Sequence, residues 1–322
     1  MKICIVGVGA IGTYLAARLS SGESEVSVVA RSGSATSLRE HGVALTETTE
    51  EVSRGKPRVF TAGEVPQDAQ DWLLVCVKAY SVTEIVTDLK PLIGTNTRVV
   101  FVQNGMPWWY RVGAASSEEL TPRDRVVGCV AYANVRTLRT GVAQHVGDDR
   151  FILGQPEGAK RFPLDPLIQA MRAVRVEASA TDRIEREVWV KLWGNLAFNP
   201  ISALTGATMD RIIAEPHTRP LVMAMMGEAQ QIAAALGVDF GVTIEQRLEM
   251  ATRAGAFKTS MLQDLEAGRR LEIDAILGSV SAAARVLGVK SPAIDTVLGL
   301  LIQKMATLEM QGYGGTAKGT QP

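Results

Sequence analysis

Lys191, Asn195 and Asn199 recur at intervals of four residues in a stretch, residues 187–204 (EVWVKLWGNLAFNPISAL), whose only charged members are Glu187 and Lys191. If the stretch is helical from residue 184, these three fall on one narrow stripe, each about 40° on from the last. An ammonium on such a stripe can pass a proton to an oxygen on which negative charge develops, and the two amides can hold a polar ligand against it. Ile184, Val188, Trp189, Leu192, Trp193 and Leu196 occupy most of the remaining circumference, so the helix should be buried nearly all round. A buried Lys is costly unless it is paired or its pKa falls, and the line of hydrogen-bonding groups therefore predicts a polar cleft along one side. The plain alternative, a solvated edge, normally carries several charges rather than one. Pro200 is expected to end or kink the helix just after Asn199.

A second constellation lies at the start of the chain. Residues 2–6 read as an apolar strand that runs into Gly7, Gly9 and Gly12, followed by a helical segment at 13–19 and a second strand at 25–30. In this setting the spacing G-x-G-x-x-G has a mechanical meaning. The first glycine permits a tight turn, the second lets backbone approach a pyrophosphate, and the third lets the helix pack on the strand. Gly7, Val8, Gly9, Ala10, Ile11 and Gly12 form the expected cradle. An NAD site usually ends its second strand with an acid for the ribose 2′-hydroxyl, whereas this strand ends in Ala30, Arg31 and Ser32. A guanidinium fork suits a 2′-phosphate, so the expected cofactor is NADP, the plain alternative being that Arg31 is a solvated loop residue.

These residues need a scaffold, and the pattern supplies two kinds. Strands are expected at 72–77 and 98–102, delivering Lys78 and Asn104 to the same rim of a parallel sheet, with a helix at 82–89 between them. Taken singly, Lys78 could be a solvated lysine and Asn104-Gly105 a simple turn. Trp108, Trp109 and Tyr110 follow, a cluster that could wall the cleft or cover a homodimer interface. Residues 43–70 are polar and poorly periodic, with β-type pieces at 42–45 and 58–60. Antiparallel strands at 125–135, 141–146 and 150–153, a helix at 164–173 and a strand at 174–178 complete the first domain. Beyond Thr181 the pattern is helical, at 216–236, 242–253, 261–266, 271–287 and 292–309, before a Gly-rich tail expected to be mobile. The fold class is α/β, a Rossmann-type dinucleotide-binding domain at 1–181 followed by an all-α domain at 182–322, with 311–322 as the tail.

Two further positions lie in the helical half. Ser260 opens Ser-Met-Leu-Gln, a capping box in which its hydroxyl would cap a helix. Glu272 lies where an apolar stripe meets the outer face, with a salt bridge to Arg269 equally available.

Composition narrows the classes. The chain has 322 residues, 46% hydrophobic and 21% charged, with 34 basic and 34 acidic side chains, so no global field recruits nucleic acid or an anionic membrane. No segment reaches the roughly eighteen continuous apolar residues of a membrane span, and a cytoplasmic protein is expected. Cys4, Cys76 and Cys129 each lie in apolar runs, and His41, His145 and His217 lack ligand spacing, so buried thiols and no metal site are expected.

With these motifs in place, the chain resembles the ketopantoate reductase (2-dehydropantoate 2-reductase) family over nearly its whole length. IVGVGAIG with Arg31, Lys78, QNG at 103–105, KLWGNLAFNP at 191–200 and TSMLQDLEAGRRLEID at 259–274 carry the resemblance. It implies NADPH-dependent reduction of a 2-keto acid to a 2-hydroxy acid, in the family's case the pantoate-forming step of pantothenate and coenzyme A synthesis. By position it implies Lys191 as general acid, Glu272 as a partner in the substrate site, and Asn195, Asn199 and Ser260 as substrate ligands. Lys78 and Asn104 would lie beside the nicotinamide, Asn104 also touching substrate.

The chain departs from that pattern at specific places. Met209 and Phe257 stand where further substrate-binding asparagines are expected, and Trp108 and Trp109 follow the QNG. A less polar pocket follows, with a bulkier or more apolar 2-keto acid as the alternative substrate. An NADP(H)-sensing protein that uses its helical half only to contact a partner is an alternative of another class, but it would not need the aligned Lys191, Asn195 and Asn199. A β-hydroxyacid or imine reductase would share the glycines and a helical Lys, but not their combination with Ser260 and Glu272.

Overall fold

The computed structural model describes residues 1–110, 122–253 and 255–311. Its first unit is built on one sheet. Strands β1 (Lys2–Val6), β2 (Glu25–Val29), β3 (Val43–Glu47), β4 (Glu50–Gly55), β5 (Arg58–Phe60), β6 (Trp72–Val75), β7 (Arg98–Val102), β8 (Val126–Arg139), β9 (Val142–Gly154) and β10 (Ala178–Thr181) join in the order β4-β3-β9-β8-β7-β6-β1-β2-β5, with β10 beside β9. From β5 to β8 every pairing is parallel. Counted among themselves, these six run 3-2-1-4-5-6, the order of the Rossmann fold, whose ligand crevice opens where the order reverses beside β1. The strands are near-continuous apolar runs, as a sheet covered on both faces requires, and Ile3, Cys4, Ile5, Leu73 and Val75 are fully buried.

Helices α1 (Ala10–Leu19), α2 (Ser32–His41), α3 (Ala79–Leu89) and α4 (Asp165–Ala173) accompany the sheet. Three differences from the sequence pattern have clear causes. The helix α2 carries only two buried residues, Ala35 and Leu38, too few to register as an amphipathic period. The strand expected at 174–178 begins four residues later because the end of α4 claims its first part. Arg175 takes a left-handed φ of 61° and Val176 N–H donates back to Met171 O at 3.0 Å, a Schellman-type close. The expected strands at 141–146 and 150–153 are one strand, β9, because cross-strand pairing with β8 carries the polar stretch between them, with a register shift between Ala133 and Val135.

The second unit is helical: α5 (Ile184–Thr205), α6 (Met209–Ala214), α7 (Thr218–Ala235), α8 (Ile244–Arg253), α9 (Ser260–Glu266), α10 (Ser279–Leu287) and α11 (Pro292–Met310), with a π-helical turn at Asp274–Gly278 leading into α10. The two compact units divide inside α5, between Glu187 and Val188. The helix α7 packs on α6, α8, α10 and α11. Trp193 anchors α5 to it, donating from Nε1 to Met226 O at 2.9 Å while its ring stacks on Phe240 with centroids 4.4 Å apart. Pro200 does not end α5, which continues for five residues to Thr205. The terminal turn is held from outside: Lys304 Nζ donates to Ala203 O at 2.6 Å and Leu204 O at 3.0 Å, satisfying carbonyls that a helix end leaves open. Of the expected tail at 311–322, Gln311 is the C-cap of α11 and the rest lies outside the described residues. Among the described residues no helix is long and apolar enough to cross a membrane.

Candidate functional site

The three glycines of the first turn differ in what surrounds them. Gly7 has a φ of 94°, and a Cβ there would meet Val77 Cγ1 at 2.6 Å. At Gly12 a Cβ would run into Gly7 O and approach Cys76 Cβ at 3.3 Å, so helix and strand can meet only over a glycine. At Gly9, the N-cap of α1, a Cβ would meet nothing within 4 Å, leaving open the ground where backbone can approach a pyrophosphate. Behind it the turn is tied down: Thr13 Oγ1 donates to Val8 O at 3.0 Å, Gly7 N–H to Val29 O at 2.9 Å and Cys76 N–H to Val6 O at 2.8 Å. Val8, Gly9, Ala10 and Ile11 thus sit on a turn with no acidic side chain in the first turn of the helix behind it. Burial pushes the Cys76 thiol up, with the Cys129 and Cys4 thiols adding to it, and Cys4 is pushed up to about 12. The thiol beside the glycines therefore stays neutral, and no thiolate repels a phosphate there.

Arg31 is the N-cap of α2, exposed, with only Ala30 between it and the end of β2. It is followed by Ser32, Gly33 and Ser34, and the first turn of α2 holds no acid. A guanidinium and the open N–H groups of a helix start thus converge at the end of the second strand, the chemistry a 2′-phosphate would use.

Lys78 is the N-cap of α3 and Asn104 follows β7, on neighbouring strands paired Val75 to Phe101. Both are half-buried. What fixes their loops to each other is Gln103, a residue noted in the sequence only as part of QNG. Its Nε2 donates to Val77 O at 3.4 Å and its Oε1 accepts from Trp108 N–H at 3.1 Å. Gly105 takes a φ of 75°, turning the chain at Asn104. Trp108 and Trp109 are each only 5% exposed within the single chain, Trp108 lying 5.9 Å from the Phe101 ring and Trp109 over Gly128. They are core residues of the first unit.

In the second unit, α5 carries the stripe. Val188, Trp189, Leu192, Trp193, Leu196 and Ala197 are buried; Lys191 and Asn195 are half-exposed, and Asn199 is 5% exposed. Ser260 does not cap α9. The N-cap is Thr259, whose Oγ1 accepts from Leu262 N–H at 3.2 Å, so Ser260 is the first helical residue and is exposed. Its hydroxyl is not consumed by the cap. Glu272 is 8% exposed and lies just ahead of the π-helical turn, its carbonyl accepting from Ile276 N–H at 3.1 Å. Arg269 does not pair with it; Arg269 Nε donates to Asp264 Oδ1 at 2.8 Å. Glu272 is thus a buried carboxylate ahead of the π-helical turn, and the ion pair with Arg269 does not form.

Two family models match this chain, Ketopantoate reductase PanE/ApbA over residues 3–158 and Ketopantoate reductase PanE/ApbA C terminal over residues 183–305. The chain belongs to the ketopantoate reductase family. It is accordingly an oxidoreductase of the class acting on CH–OH groups. A 2-dehydropantoate 2-reductase of Mesorhizobium japonicum is 41% identical over 94% of this chain and 97% of its own length. A Ralstonia solanacearum protein assigned to the ketopantoate reductases superposes with a TM-score of 0.87 at 35% identity, covering 97% of this chain and 98% of that one. A D-mandelate dehydrogenase in ternary complex with NADH and anilino(oxo)acetate has a TM-score of 0.85 over 96% of this chain and 99% of its own. At 21% identity that likeness shows the shared fold of the ketopantoate reductases and no more.

Proposed function

We propose that this protein uses NADPH to reduce a 2-keto acid to the 2-hydroxy acid, with 2-dehydropantoate as substrate and pantoate as product, a step of pantothenate biosynthesis in the cytoplasm. Residues 1–181 bind the dinucleotide and residues 182–322 the substrate. The observation that carries this reading is the half-exposed Lys191 and Asn195, with the buried Asn199, on a helix that is otherwise largely apolar beyond its first turn. A stripe of that kind has no packing value, and its chemistry fits a carbonyl whose oxygen gains charge as the carbon is reduced.

The residues fit the cofactor: open space at Gly9, a helix N-terminus behind it, and Arg31 where an acid would repel a 2′-phosphate. When bound, NADPH supplies the hydride. Lys191 donates a proton to the substrate oxygen, an effect worth roughly 10² to 10⁴ in rate. Glu272, buried nearby in sequence to the π-helical turn, holds the ammonium or binds a substrate hydroxyl, and Asn195, Asn199 and Ser260 hold the keto acid. Lys78 and Asn104, fixed by Gln103, flank the nicotinamide, with Asn104 reaching the substrate. The family relationship supports these roles.

One observation favours a second substrate reading. Met209 and Phe257 are apolar, and Phe257 is 39% exposed, so a bulkier, more apolar 2-keto acid is the alternative. Oxidation of NADPH followed at 340 nm with 2-dehydropantoate and with a series of 2-keto acids of increasing apolar size tests both. Turnover of none of them overturns the proposal, and a preference for the apolar members selects the second reading.

A further inference from the structure

We infer that Arg247 binds the substrate carboxylate, a role resting on the 2-keto acid reading above. The starting observation is Gly194. A glycine inside a helix is destabilising relative to alanine, yet this one sits in the middle of α5, three residues after Lys191 and directly before Asn195. The reason is a guanidinium. A Cβ on Gly194 would overlap Arg247 Nη2 and would lie 3.1 Å from Cζ and 3.5 Å from Nε, so the guanidinium reaches the helix backbone Nη2 first, in space that an added methyl would take from it.

Arg247 is placed rigidly for this. It is the fourth residue of α8, whose first turn is closed by a reciprocal capping box: Thr243 N–H donates to Gln246 Oε1 at 2.9 Å and Gln246 N–H to Thr243 Oγ1 at 3.2 Å. Arg247 N–H then donates to Thr243 O at 3.0 Å. Leu248 and Ala251, each 2% exposed, bury the inner face of α8, while Arg247 itself is half-buried. Its stem is therefore fixed at the helix start and its head at Gly194.

The placement has a chemical consequence. Positions three apart on a helix are neighbours, with Cβ atoms about 5–6 Å apart, and Gly194 lies about 60° round the helix from Lys191 on the side away from Asn195. The carboxylate of any 2-keto acid is joined directly to the keto carbon, so its site must lie within a few ångströms of the group that protonates the keto oxygen. During reduction such a substrate carries two negative centres, the permanent carboxylate and the charge growing on the keto oxygen. Lys191 on α5 and Arg247, whose head reaches α5 at Gly194, are two cations for those two centres, and the fork of a guanidinium matches a carboxylate through two parallel hydrogen bonds, which an ammonium cannot do. The apolar positions Met209 and Phe257 leave the acid end of the substrate in greater need of such an anchor.

The test compares a 2-keto acid with its methyl ester, which has the same carbonyl and no carboxylate. The probes are 3-methyl-2-oxobutanoate and methyl 3-methyl-2-oxobutanoate, with NADPH binding and a melting curve measured on every variant, and equilibrium binding of oxamate as a readout independent of turnover. Arg247→Gln should raise KM for the acid by roughly 10- to 100-fold, the loss expected when a charged hydrogen-bonding partner is removed, and weaken oxamate similarly, while KM for the ester and the Kd for NADPH change little. Arg247→Lys should recover only part of the acid's KM. Gly194→Ala, which displaces the guanidinium and leaves it in the protein, should reproduce the acid-selective loss. Equal changes for acid and ester, or no change in either, overturn the inference while leaving the reductase reading intact. A wild-type enzyme that turns over neither acid nor ester nor 2-dehydropantoate and does not bind oxamate overturns both.

Discussion

Met209 N–H donates to Phe257 O at 3.1 Å, so the two positions at which apolar residues stand in place of expected asparagines are joined by a single backbone hydrogen bond. Met209 opens α6 and Phe257 precedes the cap of α9 by two residues, and their pairing makes the two departures one local feature. Replacing one while leaving the other should therefore shift substrate choice only partly. The double variant Met209→Asn with Phe257→Asn should lower kcat/KM for a bulky apolar 2-keto acid relative to 2-dehydropantoate by more than either single change, because neighbouring substitutions couple. Steady-state comparison of the two substrates across the four proteins checks this; an unchanged ratio in the double variant rejects the second substrate reading.

Arg31 caps a helix whose first turn contains no acid, at the end of the strand adjoining the glycine turn. Arg31→Ala should raise the Kd for NADPH by roughly 10- to 100-fold, the effect of losing charge-assisted bonds to a phosphate, and leave NADH nearly as before. Fluorescence titration with both nucleotides measures this. Wild-type protein that binds NADH as well as NADPH would contradict the NADP assignment itself.

The glycine turn makes a paired prediction. A Cβ at Gly9 meets nothing in the protein, whereas one at Gly12 collides with Gly7 O. Gly9→Ala should therefore keep its melting temperature and lose dinucleotide affinity, because the added methyl occupies ground needed by the pyrophosphate. Gly12→Ala should lose stability first, by about 1–3 kcal/mol, the range for overpacking a closed contact. Melting curves with and without NADPH separate the two; equal stability losses would show that Gly9 serves packing rather than binding.

Thr259 and Ser260 are adjacent and have different duties. Thr259 accepts the capping bond of α9 and is 1% exposed, while Ser260 faces outward. Thr259→Ala should cost about 1 kcal/mol of stability, as loss of an N-cap does. Ser260→Ala should leave the melting curve unchanged and raise KM for the keto acid. If Ser260→Ala destabilises the protein and leaves KM alone, its hydroxyl is structural.

What the sequence made legible follows from how local each signal is. The burial of α5 could be read because Trp189, Leu192, Trp193 and Leu196 leave so little room for any polar face, and the steric parts of the glycines because each contact lies within a strand–turn–helix unit. The cap of α9 was misplaced by one residue because Thr and Ser are both good caps and only backbone geometry decides between them. Glu272 and Arg269 were offered to each other by spacing, but Asp264, on the preceding helix, takes the arginine. Pro200 was expected to end or kink α5; the helix does not end there, and the lysine that holds its last turn, Lys304, is more than a hundred positions away in sequence. The relation of Arg247 to Gly194 is equally invisible to any local pattern, because it exists only once the chain fold brings that side chain to α5.

Lys191 is the position at which a catalytic role and a structural one give opposite measurements. It is half-exposed on a helix whose other faces are closed by packing, so truncating it removes no core contact comparable to those of Trp189 or Trp193. If Lys191 delivers the proton to the substrate oxygen, Lys191→Ala should lower kcat by roughly 10² or more, since the lost interaction belongs to the transition state. NADPH affinity should be nearly unchanged, because the cofactor turn and Arg31 belong to the other unit. The melting temperature should move little for the same packing reason. Lys191→Arg keeps the charge but donates from a group with a far higher pKa and a different reach, so it too should leave the melting temperature nearly unchanged without recovering turnover. Turnover of Lys191→Ala within a few-fold of wild type, together with a lowered melting temperature, would assign the residue to structure, and the stripe of α5 would then need another explanation.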